Sequence, residues 1–303
     1  MTKHWIAIDW GTSNFRAFLM NENQCVDEIS AACGLLNVPD RQFAAALQPL
    51  IQLWLDQFPQ LPLLMAGMVG SQQGWQEVPY VAIPAGCQQL AQHVAEVKTP
   101  WGSLCQIIAG VRGDNAFGLP DVMRGEEVQL VGLTARHPQL FAQGRHWVIL
   151  PGTHSKHAEM HHGQIQRFST FMTGEMYAVM LNHSLLGRDL PEATDDISAF
   201  SLGVTNSHNA PHLSNALFSA RTLRLDGTLT PPQIASYLSG LLIGAELRAL
   251  TQRQAWIVGS PALTARYIRA ASLLGITLHP ADGNDCFIHG MAQIYQCLNG
   301  ELA

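Results

Sequence analysis

The chain has 303 residues, 47% of them hydrophobic and 13% charged, with a net charge of −6. Its length exceeds what a single core usually fills, so two domains are the default. Only 17 Lys and Arg stand against 23 Asp and Glu, too few cations for a nucleic-acid groove. No apolar stretch approaches the ~20 residues of a membrane span, and Asp9 cuts the first apolar run short of a signal-peptide core. The chain therefore reads as cytoplasmic, with neither a nucleic-acid nor a membrane partner. Its six cysteines form no Cys-x-x-Cys pair and read as buried free thiols.

In chain order, the pattern predicts strands at 5–9, 15–20 and about 25–31, with turns at Gly11 and at Asn21-Glu22-Asn23. Apolar residues at helical spacing follow from Gln42 to Phe58 and end before Pro59. A buried strand at 63–68 leads into the loop Gly67-Met68-Val69-Gly70-Ser71. The next elements are a helix at 88–97, a strand at 103–111, a loop at 112–125 and a short helix at 126–133. The order then repeats. A strand at 147–150 is followed by strands at 155–160 and 164–168 across the turn His161-His162-Gly163, and by a helix at 172–186. Helices at about 214–220 and 231–250 come next, the latter capped by Thr230 with Pro in its first turn. A strand at 256–258, a helix at 262–274, a strand at 277–279 and a helix at 287–299 complete the chain. This is an α/β protein of two similar halves, with a boundary near 140–145 at Gln143-Gly144-Arg145.

One phrase occurs twice. His4-Trp5-Ile6-Ala7-Ile8-Asp9-Trp10-Gly11-Thr12-Ser13 opens the chain, and His146-Trp147-Val148-Ile149-Leu150-Pro151-Gly152-Thr153-His154-Ser155 recurs near its middle. In both copies an apolar strand ends in Gly-Thr, residues that let a backbone turn tightly and offer N–H and hydroxyl donors to an anion. Asp9, at the end of a buried strand, is costly without a partner, and Mg²⁺ held through water beside phosphates would be one. Arg16 adds a cation to the first turn. Lys156 follows the second and is one of only three lysines, with Lys3 and Lys98. The histidines at 154, 157, 161 and 162 are scattered by a hairpin rather than gathered on one helix face, which argues against a zinc site.

Asp9-Trp10-Gly11-Thr12-Ser13-Asn14-Phe15-Arg16 resembles the first phosphate motif of the actin, sugar-kinase and heat-shock-chaperone ATPase superfamily. Pro151-Gly152-Thr153-His154-Ser155-Lys156-His157 resembles its second, and Ile257-Val258-Gly259-Ser260-Pro261 its adenosine motif. Together with Gly67-Met68-Val69-Gly70-Ser71 and Arg124-Gly125-Glu126-Glu127, they make the chain most similar to the 2-dehydro-3-deoxygalactonokinase family. The second motif departs from the superfamily by having Pro151 where an acid is usual, and the Gly-Asp-Gln signature of many sugar kinases is absent.

The resemblance implies two ribonuclease H-like domains of the actin-like ATPase fold, at 1–142 and 143–303, with a nucleotide cleft between them and a last helix that packs back on the first domain. It implies ATP and Mg²⁺, and phosphorylation of the 6-hydroxyl of 2-dehydro-3-deoxy-D-galactonate. The nucleotide would meet Gly11, Thr12, Ser13, Arg16, Gly152, Thr153, His154, Ser155, Lys156, Gly259 and Ser260, with the metal on Asp9. Transfer to a hydroxyl needs a proton acceptor, and Glu126 comes first and Asp114 second. A substrate carboxylate needs a cation and donors, for which Gly70, Ser71, Arg112, Asn115 and Arg124 are the candidates, with Arg16 also near. Spacing does not choose among these arginines. A kinase for another sugar or sugar acid, such as 2-dehydro-3-deoxygluconate, and a non-catalytic nucleotide sensor of the same fold are the alternatives.

Overall fold

The computed structural model describes residues 4–301; Lys3 lies outside them. Residues 4–145 form β1 (His4–Trp10), β2 (Phe15–Asn21), β3 (Gln24–Ala31), α1 (Phe43–Gln57), β4 (Leu63–Ala66), β5 (Val81–Ala82), α2 (Cys87–Ala91), β6 (Val94–Lys98), β7 (Leu104–Ile108), β8 (Val111–Asp114), β9 (Pro120–Met123), α3 (Glu126–Arg136) and α4 (Pro138–Phe141). Then come β10 (Arg145–Leu150), β11 (Ser155–His161), β12 (Gln164–Phe171), α5 (Thr173–His183), α6 (Ile197–Asn209), α7 (Leu213–Leu225) and α8 (Ile234–Leu247). The chain closes with β13 (Gln254–Gly259), α9 (Pro261–Leu273), β14 (Thr277–Asp282) and α10 (Gly283–Leu298).

Two large sheets follow one plan. The first has the order β3-β2-β1-β4-β7-β6 and the second β12-β11-β10-β13-β14. In each, the strand carrying the repeated phrase is central, with two strands on one side and a parallel neighbour on the other: β1 pairs antiparallel with β2 and parallel with β4, and β10 pairs parallel with β13. Strands covered on both faces need apolar runs, and Trp5 through Ile8 and Val148 through Leu150 supply them. A small third sheet, β5-β8-β9, stands apart.

The described residues form two compact units, one of 4–145, 159–169 and 283–301 and the other of 146–158 and 170–282. In the first, α10 packs on α3 through glycines. A Cβ on Gly132 would lie 1.7 Å from the Cys286 carbonyl oxygen, and one on Gly290 would lie 2.0 Å from that of Val128. The second unit repeats the device where α6 crosses α8, with Gly203 against Tyr237 and Gly240 against Phe200.

Three expectations change. The helix at 88–97 is the single turn-and-a-half of α2, after which Val94–Lys98 pairs antiparallel with β7 as an edge strand. The loop at 112–125 holds the β8–β9 hairpin, whose turn is shaped by Asn115 Oδ1 accepting from the N–H groups of Phe117 (2.9 Å) and Leu119 (3.1 Å). Residues 197–209, given no element by the sequence reading, are α6, capped by Asp196 accepting from Ala199 N at 2.7 Å.

The first turn of α3 holds a fully buried carboxylate. Both oxygens of Glu127 accept from Gly125 N, at 2.9 and 2.7 Å. Burial, reinforced by the Glu126 charge, pushes the Glu127 carboxyl from 4.5 up to about 8, against the Gly125 N–H and Arg124.

Two stability measurements follow. Gly132→Ala, which helix propensity alone would favour by ~1 kcal/mol, is expected instead to destabilise by about 3 kcal/mol or more, because the helices must separate; denaturant titration reads the sign. Glu127 keeps in the folded state a proton that the unfolded chain releases above about 4.5. Stability therefore falls as pH rises from about 4.5 to 8, by up to about 1.4 kcal/mol per pH unit, and then levels. Glu127→Gln is expected to remove that slope in melting curves taken across the window.

Candidate functional site

In the first unit the ends of β1 and β4, the loop after β4 and the start of α3 come together. Asp9 and Arg16 face one another across the β1–β2 register and form an ion pair. The other terminal nitrogen of the Arg16 guanidinium, Nη1, donates to Asn284 Oδ1. Asp9, Gly11, Asn14, Arg16 and Ser30 line an open cavity of about 580 Å³. Between the strands the chain turns tightly, with Gly11 N donating to Asn14 O at 2.9 Å, and leaves Thr12 and Ser13 exposed. A second segment braces this turn from behind. Gly34 N donates to Ser13 O, Leu35 N to Gly11 O and Leu36 N to Thr12 O, at 3.1, 3.0 and 3.3 Å. Gly34 has no room for a side chain, since a Cβ would lie 2.3 Å from both Thr12 O and the Ser13 carbonyl carbon.

Gly67, with φ of +92°, turns the chain out of β4 so close to β1 that a Cβ would lie 2.9 Å from Trp10 O and 3.3 Å from Asp9 Oδ1. Gly125 approaches Gly67 in turn, with 3.6 Å from its Cβ position to the Gly67 Cα. Glu126 thus starts α3 beside the strand end that carries Asp9, half-buried, with Oε2 accepting from Arg124 N at 3.2 Å.

Arg124 lies over the Tyr80 ring at 4.4 Å and donates from Nη2 to Val78 O at 2.8 Å. Its Nε and Nη1 are buried without a hydrogen-bond partner among the described residues, and so is Ser71 Oγ. Gly70 makes the space, since a Cβ there would stand 2.8 Å from Arg124 Nη1. Buried donors left open are costly, and several around one glycine mark a place for acceptors. The other substrate candidates lie on the β8–β9 hairpin. Arg112 is exposed, Asn115 uses its side-chain oxygen to close the turn, and Asp114 is exposed opposite Pro120. Among the described residues, Gly70, Ser71, Arg124 and Glu126 therefore gather with Asp9, Arg16 and the turn at 11–13 around the β1 end, and Arg112, Asp114 and Asn115 lie on the hairpin.

In the second unit β10 runs into the turn Pro151–His154. Pro151, in place of an acid, has its ring against Gly259 at the end of β13, where a Cβ would lie 3.1 Å from Pro151 Cγ. Gly152 has open space around it, and Thr153 and His154 are exposed. The next two residues point inward, unlike the cation and donor expected of them. Ser155 Oγ donates to Glu246 at 2.7 Å, and the buried Lys156 Nζ donates to the His154 carbonyl at 2.7 Å. Both faces of β11 are covered, so alternation leaves neither side chain outside.

Glu246 is the only charged residue of the buried helix α8 and accepts from four side chains. These are Ser155, His157 Nε2 (2.9 Å), Thr173 Oγ1 and Tyr267 OH (2.7 Å). Burial alone would raise its carboxyl, but His157, Thr173 and Tyr267 together hold it below its ordinary value. Thr173 and Tyr267 also line a largely apolar cavity of about 230 Å³ with Gly152, Thr153, Tyr177, Leu263 and Arg266. Gly259 and Ser260 open α9 beside it, and Ser260 is exposed. Glu246 was missed from the sequence, although a lone carboxylate in Ile234–Leu247 signals a paired buried charge.

The described residues contain no helix long and apolar enough to cross a membrane, and no group of three His, Cys, Asp or Glu side chains placed to hold a metal ion. The model of the 2-keto-3-deoxy-galactonokinase family matches residues 9–294. A 2-dehydro-3-deoxygalactonokinase of Escherichia coli (strain K12) is 35% identical over 302 residues, covering 97% of this chain and 98% of the relative. A crystal structure from Sinorhizobium meliloti superposes with a TM-score of 0.87 at 30% identity, over 99% of this chain and 98% of the other. The ADPNP-bound activator of 2-hydroxyisocaproyl-CoA dehydratase from Clostridium difficile, at 12% identity and a TM-score of 0.51 over 98% and 96% of the two chains, shares the fold. With two sheets of the same plan and the motifs at their central strands, the chain has the actin-like ATPase fold and belongs to the 2-keto-3-deoxy-galactonokinase family.

Proposed function

We propose that this kinase transfers the γ-phosphate of ATP to the 6-hydroxyl of 2-dehydro-3-deoxy-D-galactonate, in the cytoplasm, and that it binds the sugar acid through Arg124. The observation that carries the reading is the set of open, buried donors around Gly70, Arg124 Nε and Nη1 with Ser71 Oγ, beside the helix start that carries Glu126. A carboxylate with a neighbouring keto oxygen supplies acceptors for such donors. Arg16 is already paired with Asp9, and Arg112 lies on an exposed hairpin, so Arg124 is the better partner.

Glu126 is the proton acceptor for the attacking hydroxyl, with Asp114 as second choice. Phosphate oxygens would be met by Gly11, Thr12, Ser13 and Arg16 in the first unit, and by Gly152, Thr153 and His154 in the second. The inward Ser155 and Lys156 would act through the turn they anchor. Gly259 and Ser260 would flank the nucleoside, and the 230 Å³ cavity beside them suits a flat apolar base better than a whole nucleotide. Residues 1–142 would form the sugar-acid and first phosphate domain, and 143–303 the second phosphate and adenosine domain.

Asp9 fits a magnesium ion. It is one carboxylate, partly exposed on a roomy open cavity and paired on one side with Arg16, and Mg²⁺ keeps most of its waters and takes few protein ligands. Bound there through water, the ion would offset negative charge on the phosphates. Transfer then rests on positioning and on donors fixed in advance, which the braced turns provide.

A coupled ADP-release assay across 2-keto-3-deoxy acids, aldoses and no sugar tests the reading. Turnover is expected with the galacto acid; ADP release indifferent to sugar would remove the assignment, and preference for the gluco epimer would move it. Gly70→Ala is expected to raise KM for the sugar acid about tenfold while KM for ATP holds, since it displaces the guanidinium. Glu126→Gln is expected to lower kcat at least about 100-fold with Asp114→Asn near wild type; the opposite result exchanges their roles.

A further inference from the structure

We propose that Glu175 is a positioning residue for the nucleotide phosphates, acting by fixing the His154 ring and the Gly152–Thr153 turn. This rests on reading that turn as a phosphate cradle. Residue 151 is proline and is packed on Gly259, so the turn carries no carboxylate of its own. One reaches it instead from the first turn of α5. Glu175 Oε2 lies 2.5 Å from His154 Nε2, and Glu175 N donates to Thr153 O at 3.0 Å.

The approach of α5 is built into the backbone. A Cβ on Gly174 would stand 2.5 Å from Gly152 O and 2.8 Å from Thr153 Cα, so only glycine lets Glu175 sit this close. Lys156 Nζ donates to the His154 carbonyl. The backbone of His154 is thus held by Lys156, its ring by Glu175, and the carbonyl of the residue before it by the Glu175 N–H. With Nε2 engaged, the half-exposed ring has Nδ1 as its remaining polar contact, in a single orientation.

A polar contact this exposed contributes little to folding stability. Its effect belongs to preorganisation: an untethered imidazole and turn must be ordered when the phosphates arrive, and a tethered one is ordered beforehand. Removal is therefore expected to appear in nucleotide affinity and not in melting.

The test is a double-mutant cycle on the full-length protein, with ATP affinity from calorimetry, KM for both substrates and melting midpoints. Glu175→Ala and His154→Ala are each expected to weaken ATP binding about tenfold. KM for the sugar acid should stay within about twofold, the melting midpoint should hold, and the double variant should be no worse than the weaker single. Glu175→Gln keeps an acceptor and is expected to recover affinity to within about threefold of wild type. Unchanged ATP affinity in Glu175→Ala, or losses that multiply in the double variant, overturns the proposal. An equal loss in Glu175→Gln accompanied by a lowered melting midpoint identifies a purely structural role and also overturns it. If wild-type protein fails to bind ATP, the cradle reading itself falls, a result separate from any change confined to the variants.

Discussion

A carboxylate removed from water is among the most expensive groups a fold can contain, and the second unit is arranged around one. Glu246 sits in a helix that is otherwise apolar or small on every side, and four donors converge on it from three other elements. Ser155 and His157 bring β11, Thr173 brings the start of α5, and Tyr267 brings α9. Removing one partner would leave a buried charge short of a donor, so each element is held in place by the cost of leaving. The turn before β11 inherits this fixity, since Ser155 is its next residue. The apolar cavity inherits it as well, because Thr173 and Tyr267 form part of its wall.

The first unit reaches the same end by steric exclusion. Gly34, Gly67, Gly70 and Gly125 each stand where a side chain would strike backbone or a functional group, or where φ is positive. Their absence of side chains draws the end of β1, the loop after β4 and the start of α3 into one neighbourhood. The two copies of the repeated phrase therefore end differently in physical terms. The first copy keeps Asp9 and balances it with Arg16 across the strand pair, and the second replaces the acid with a proline that packs on the neighbouring strand end. The first turn is braced by residues 34–36, and the second by α5 and by Lys156.

Much of this was legible in the sequence because it depends on local pattern. Apolar runs ending in Gly-Thr marked the central strands, and helical periodicity marked α1, α3 and α10. What escaped depends on partners distant in sequence. Val94–Lys98 is a strand because β7 offers an edge, and α6 is a helix whose Ser, Thr, Asn and Gly composition is weak until Gly203 lets α8 approach. The direction of Ser155 and Lys156 was hidden for a related reason, since alternation along a strand identifies an outer face only when one face is open, and β11 has none. Glu175 was passed over because its importance lies in a backbone approach set by Gly174, which no side-chain pattern records. That Arg124, among the arginines, keeps buried guanidinium nitrogens open could not be read from spacing.

The pair Glu126-Glu127 shows how one turn of helix separates two identical chemistries. Successive residues on a helix point about 100° apart, so α3 sends Glu127 into the interior and leaves Glu126 half-buried at the surface of the loop cluster. Burial moves Glu127 up to about 8 and binds both its oxygens to Gly125 N, which fixes the backbone from which Glu126 projects. A carboxyl with no exposure cannot meet a substrate hydroxyl, whatever its proton affinity, so of the two only Glu126 is open to the proposed proton transfer. The Glu126 charge is itself one of the causes that raise Glu127. Near neutral pH burial therefore favours the protonated inner carboxyl, and Glu126 is the one of the pair that solvent reaches.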